Sequence, residues 1–142
     1  MIEVRELHVG DDDALGALIA AVHPDFDPSP PAFAAFLDDP ASFVLGAYAA
    51  GVPAGLAWGF QMRSPSGKLT TYLHELDVLE PWRRQGIGTA LVREAMELGR
   101  ATGSTRFWLS TGGHNEVAQA LYESLGGDRK PLGDVNYWWT LD

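Results

Sequence analysis

Cysteine is absent from the 142-residue chain, so disulfides, thiolate metal sites and cysteine nucleophiles are excluded together. Basic residues are scarce: ten Lys and Arg against 19 Asp and Glu leave a net charge of −9. A field of that sign repels nucleic acid and anionic lipid and attracts cations, so neither of the first two is an expected partner. Long apolar runs are missing too, because charges, glycines or prolines interrupt every one, and no membrane span is expected. The first six residues, Met1-Ile2-Glu3-Val4-Arg5-Glu6, carry charges where a secretion leader is apolar; the expected location is the cytoplasm. His8, His23 and His114 are scattered without ligand spacing, and no metal is expected.

What is present is the balance of an ordinary globular protein, 46% apolar and 20% charged, long enough for a real core. One domain over residues 1–142 is expected. The patterns predict a strand over Ile2–Val9 and a helix capped by Asp11, Asp12 or Asp13, with Leu15, Leu18, Ile19 and Val22 at helical spacing. Pro24, Pro28, Pro30 and Pro31 break the chain before a short helix at Ala32–Leu37. Strands follow at Phe43–Ala50, Val52–Gln61 and Leu69–Leu79, the first two joined at Ala50-Gly51. A long helix from Gly86 to Thr102 buries Ile87, Leu91, Ala95 and Leu98; a strand at Arg106–Leu109, a helix at Glu116–Leu125 and a strand at Asn136–Leu141 complete the chain. The order β-α-α-β-β-β-α-β-α-β implies an α/β fold whose mixed sheet is antiparallel early, gains a parallel crossover late, and is flanked by helices.

The most informative stretch runs from Glu80 to Leu91, reading Pro81-Trp82-Arg83-Arg84-Gln85-Gly86-Ile87-Gly88-Thr89-Ala90 between them. A strand ends, a basic turn follows, and two glycines open an amphipathic helix. The unpaired amides of a helix start carry the positive end of its dipole and suit a phosphate. Glycine at 86 and 88 removes the Cβ atoms that would hold phosphates away. No Walker Gly-Lys-Ser/Thr is present, and a dinucleotide fingerprint would need glycine where Leu91 stands. A glycine-rich helix start with solvated arginines is the plain alternative.

Arg83-Arg84-Gln85-Gly86-Ile87-Gly88 resembles the acyl-CoA pyrophosphate loop of the GCN5-related N-acetyltransferases. Asn115 followed by Ala120-Leu121-Tyr122-Glu123-Ser124-Leu125-Gly126 is similar to a second element of that family, Asn-…-Ala-x-x-Leu-Tyr-x-x-x-Gly, and the element order agrees. Gly127 departs from the pattern, which commonly has an aromatic residue there. The resemblance implies a GNAT fold and acetyl-CoA as acyl donor. Leu76, Val78, Arg83, Arg84, Gln85, Gly86, Ile87, Gly88, Thr89 and Asn115 are the implied coenzyme-binding residues. Val78 would offer its backbone N–H to the thioester oxygen, and Tyr122 would protonate the departing thiolate. Tyr122 also reads as a core aromatic, and Asn115 as a helix cap.

Acetyl transfer to an amine requires a neutral nitrogen, a place for the oxyanion and a proton for the thiolate. In Leu73-His74-Glu75-Leu76-Asp77-Val78, strict alternation puts Glu75 and Asp77 on one face and His74 with Leu76 and Val78 on the other, where His74 would pack. Paired carboxylates beside a coenzyme loop suit the acceptor amine; otherwise they face solvent at an edge. The family resemblance implies Glu75 as general base, and like-charge repulsion from Asp77 would raise its pKa.

The subgroup that looks closest is the aminoglycoside 3-N-acetyltransferases of the gentamicin-modifying type, through the string Arg-Arg-Gln-Gly-Ile-x-Thr-Ala-Leu. It implies an antibiotic-modifying enzyme with a polycationic acceptor, consistent with the acidic excess before residue 40 (Asp11, Asp12, Asp13, Asp25, Asp27, Asp38, Asp39), which otherwise serves solubility. Asp25, Asp27, Trp58, Tyr137, Trp138 and Asp142 are candidates for its pocket. A peptide N-acetyltransferase and a non-catalytic acyl-CoA sensor are the alternatives, and five tryptophans leave aromatic surface for a homodimer.

Overall fold

A computed structural model describes residues 1–130 and 135–141, which fall into two compact units, Met1–Ser110 and Thr111–Asp142. The first unit is built on a five-stranded sheet: β1 (Ile2–Glu6), β2 (Ser42–Ala49), β3 (Val52–Arg63), β4 (Leu69–Val78) and β5 (Arg106–Trp108), ordered as they occur in the chain. The first four are antiparallel, and β5 joins β4 in parallel.

The apolar run of β2 is buried along nearly its whole length, as expected for a strand covered on both faces. Ala50 and Gly51 both take positive φ, 50° and 81°, the twist a tight hairpin needs. One face of the sheet is covered by α1 (Asp12–Val22) and α2 (Pro30–Asp38), whose Leu15, Leu18 and Phe33 pack with Val44, Tyr48 and Leu56. The other carries α3 (Ile87–Ala101), buried through Ile87, Leu91, Val92, Ala95 and Gly99. Leu98 is only half-buried; the stripe ends on Gly99, where an added Cβ would lie 2.7 Å from the Thr71 hydroxyl on β4.

In the second unit, α4 (Glu116–Ser124) starts at Asn115, whose side-chain oxygen accepts from the Ala118 N–H at 3.1 Å. It closes in a Schellman arrangement: Gly127 donates to the Tyr122 carbonyl (2.9 Å) and Gly126 to that of Glu123 (3.0 Å). A Cβ at 127 would lie 2.8 Å from the Tyr122 carbonyl oxygen, which accounts for glycine where the family pattern has an aromatic residue.

Two expectations are corrected. β1 ends at Glu6 rather than Val9, the chain turning where His8 donates its N–H to Asp11 Oδ2 (2.8 Å). The strand expected at 136–141 does not form: these residues lie in no ladder, and Tyr137, Trp138, Trp139 and Leu141 are exposed. Apolar and β-branched composition favours a strand only where a partner ladder and a face to bury are supplied.

Candidate active site

After β4 a single 3-10 turn (Glu80–Trp82) redirects the chain toward α3. Arg84 and Gly86 both adopt left-handed backbone, φ 61° and 81°, and a Cβ added at Gly86 would meet nothing within 4 Å. Gly86 caps α3 without a side-chain bond, and Ala90 is the first amide of the helix to reach back, to the Gly86 carbonyl at 3.0 Å. The amides of Ile87, Gly88 and Thr89 precede the first turn of intrahelical bonding, an arrangement that attracts an anion. Arg83, Arg84, Gln85 and Gly86 surround it at the surface, while the Ile87 side chain is buried, so Ile87 offers the cradle only its backbone. Arg83 donates from Nε to the Val78 carbonyl (2.9 Å), tying the cradle to the strand end.

The β4–β5 ladder covers only Thr70, Thr71 and Tyr72. From Leu73 onward β4 has no ladder partner on that side among the described residues. The Leu79 amide donates to Ala54 on the β3 side (2.9 Å), so alternation turns the backbone N–H groups of Val78 and Leu76 toward the open edge. Both sequence-predicted residues thus turn a strand N–H toward the open edge beside the cradle, while the Val78 carbonyl is taken by Arg83.

The β3–β4 register shifts between Trp58 and Gly59: Trp58 faces Glu75, but Gly59 faces Leu73, leaving His74 as the extra residue. Such a bulge interrupts the alternation. Gly59 permits it, since a Cβ there would sit 1.9 Å from the Tyr72 carbonyl oxygen. His74 is consequently exposed and lies against the Trp58 ring, centroids 4.6 Å apart, on the side of Glu75. Its expected packing role opposite Glu75 is overturned.

Glu75 is held at three points. Trp58 Nε1 donates to Oε1 (2.8 Å), His23 Nε2 donates to Oε2 (2.7 Å), and Asp77 shares a hydrogen bond with it. One oxygen or nitrogen from each of His23, Glu75 and Asp77 lies within 4.8 Å of the others, a donor set of the type that binds a divalent cation. Burial alone would raise the Glu75 pKa, but the hydrogen bonds from Asp77, Trp58 and His23 outweigh it and lower the value. Asp77 is pushed up to about 6 by burial, by its hydrogen bond to Glu75 and by the charge of Glu75. The expected direction is therefore reversed. Glu75 has the N–H donors and favours its charged form, while Asp77 has the higher proton affinity of the two. His23, just past the end of α1, was invisible in the sequence because 52 positions separate it from Glu75.

A cavity of about 770 Å³ opens between α1, α2 and the sheet, lined by Leu15, Ile19, Val22, His23, Pro24, Asp25, Phe26, Ala32, Phe33, Phe36, Val44, Leu56, Trp58 and Glu75. Of the acceptor-pocket candidates, Asp25 and Trp58 line it and Asp27 does not. Tyr137 and Trp138 belong to the second unit, and Asp142 lies outside the described residues. Asn115 and Tyr122 occupy the start and last turn of α4 in that unit.

The family model described as "Acetyltransferase (GNAT) family" matches residues 8–127. No curated protein sequence matches the chain. Among solved structures, an aminoglycoside acetyltransferase from an uncultured soil metagenomic sample superposes with a TM-score of 0.89 at 21% identity, covering 100% of this chain and 99% of its own. A second from such a sample, in complex with sisomicin, gives 0.88 at 17%, covering 99% and 97%. A ribosomal-protein-alanine N-acetyltransferase from Brucella melitensis biovar Abortus 2308 gives 0.77 at 19%, covering 98% and 100%.

Proposed function

The chain belongs to the GNAT acetyltransferase family, and on that premise we propose that it transfers an acetyl group from acetyl-CoA to a primary amine of a small cationic molecule. The observation that carries this reading is the juxtaposition of an open β4 edge, a helix-start cradle and a hydrogen-bonded carboxylate pair on one strand. The cradle fits a pyrophosphate: its amides are free of i−4 partners, Gly86 leaves the approach open, and Arg83 and Arg84 supply charge. Acetyl-CoA, when bound, supplies the activated acyl group. Gln85, Gly86, Ile87, Gly88 and Thr89 would hold its phosphates, and Leu76 and Val78 would pair with its pantetheine arm as a neighbouring strand does.

With acetyl-CoA bound, the Val78 N–H would be the donor for the thioester oxygen as it gains charge. Glu75, kept ionised by Trp58 and His23, anchors the incoming ammonium. The pair then removes its proton, which settles on Asp77, the member with the higher proton affinity. Tyr122 serves as acid for the thiolate, and Asn115 as a further hydrogen-bonding partner of the pantetheine arm.

The 3-amine of an aminoglycoside is the form of this acceptor that the Arg83–Leu91 string and the acidic balance support. The lining of the cavity supports another. A protein acceptor would call for an open groove. The test is thiol release from acetyl-CoA over a panel of gentamicin, kanamycin, polyamines, arylalkylamines and short peptides, with product masses read alongside. A gain of one acetyl group on a small amine supports the reading. Acetylation of peptides alone would overturn it.

A further inference from the structure

The cavity beside Glu75 differs in chemistry from what a polycationic sugar requires. Its wall is made by aliphatic side chains of α1, by Phe33 and Phe36 of α2, and by Trp58 of the sheet. Phe36 and Trp58 meet edge to face, centroids 5.7 Å apart. The charged lining is Glu75 and Asp25, with His23 hydrogen-bonded to Glu75, and among the described residues no Lys or Arg lines the space. Trp58 lends its N–H to Glu75, so its ring remains as an apolar surface. Sugar hydroxyls and several ammonium groups placed against such walls would lose their water without gaining partners.

Glu75 limits the number of cations in the same way. A carboxylate has about four acceptor positions, and Trp58, His23 and Asp77 already engage it. One further donor group completes it.

We propose that the acceptor is an amine with a single ammonium group on an apolar or aromatic body, the body filling the chamber between α1, α2 and Trp58 and the ammonium meeting Glu75. This rests on the amine-acetyltransferase reading and narrows its acceptor to the arylalkylamine class. The step is the one already described: the amine nitrogen forms the amide bond, the thioester carbon–sulfur bond breaks, and the amine's proton passes to the carboxylate pair. An apolar body of two or three buried methylene equivalents raises apparent affinity by about 10-fold or more.

The experiment compares kcat/KM for 2-phenylethylamine, tryptamine, ethylamine, spermidine and gentamicin, in the native chain and in Val22→Trp, which fills the chamber. Arylalkylamines should exceed gentamicin and spermidine by about 10-fold or more. Val22→Trp should raise KM for 2-phenylethylamine far more than for ethylamine, a split that general loss of structure would not produce. Gentamicin preferred over the arylalkylamines, or a KM that Val22→Trp leaves unmoved in the folded variant, would overturn the inference and leave the acetyltransferase reading standing. If no amine releases thiol, saturable quenching of tryptophan fluorescence by 2-phenylethylamine decides. Its presence supports the chamber's specificity while the transfer reading fails, and its absence overturns the specificity as well.

Discussion

Glu75 and Asp77 lie two residues apart on β4 and share a hydrogen bond, yet their proton affinities move in opposite directions. Donors from Trp58 and His23 reach Glu75 and keep it charged. Asp77 has the partial burial and the neighbouring charge without those donors, and its value rises to about 6. On the proposed mechanism the pair acts as one base, and a proton that it takes up goes first to Asp77.

A base must be unprotonated to act, so kcat/KM should climb as pH rises through about 6 and flatten above it. Asp77→Asn should remove that limb. The stability effect runs the other way. A carboxyl with a raised folded-state pKa contributes stability below its ordinary value, and this is lost as pH rises through about 6. Asp77→Asn should therefore raise the melting temperature at pH 8 relative to the native chain, with little gain at pH 4. A native profile flat from pH 5 to 8 would remove Asp77 from proton transfer.

Glu75→Gln should lower kcat by about 100-fold or more while leaving acetyl-CoA affinity, measured by calorimetry, nearly unchanged. The proposed coenzyme cradle lies at the start of α3 and does not include this carboxylate. Unchanged turnover would exclude Glu75 from the chemistry.

Gly86→Trp should abolish coenzyme binding. The glycine holds φ 81° at the mouth of α3 with open space beyond it, and an indole there would occupy the phosphate approach. Persistence of binding in the folded variant would displace the cradle from this helix start.

Gly59→Ala should destabilise the chain by several kcal/mol, on the order of a severe core defect. The added Cβ would fall 1.9 Å from the backbone oxygen of Tyr72, and backbone cannot yield as a flexible side chain can. Urea unfolding measures it; a loss under about 1 kcal/mol would mean the bulge relaxes.

Treatment with a chelator should leave thiol release unchanged. His23, Glu75 and Asp77 are close enough to hold a cation, but both Glu75 oxygens already accept N–H donors, which a metal would have to displace. Loss of activity that added zinc or magnesium restores would show that it does.

Local signals carried most of the fold. The helical stripe of Ile87, Leu91 and Ala95, the Ala50-Gly51 hairpin and the Asn115 cap were each readable from residues within one helix, hairpin or turn. The cradle was legible for the same reason. The bulge was not, because one extra residue in β4 becomes visible only when its pairing with β3 is known. That single ambiguity misplaced His74. The His23–Glu75 bond joins the end of α1 to β4, and the lowered pKa of Glu75 rests on hydrogen bonds from Asp77, Trp58 and His23 together, two of which come from other elements of the fold and are not visible in the local string. The expected strand at 136–141 failed for the related reason that composition does not supply a partner.

The bulge has its effect through length rather than through the imidazole of the residue that forms it. Up to Tyr72 the sheet is closed on the β5 side; two positions later β4 carries one residue more than its β3 partner, a surplus that bends a strand. A chain lacking His74 would keep Glu75 on its present face, because removing the surplus residue restores plain alternation. It would also remove the bend that the surplus residue puts into β4 at the start of its open edge, and so reshape the slot in which a coenzyme arm could lie. His74 is therefore a spacer: many side chains could stand there, but its omission would reshape the open edge.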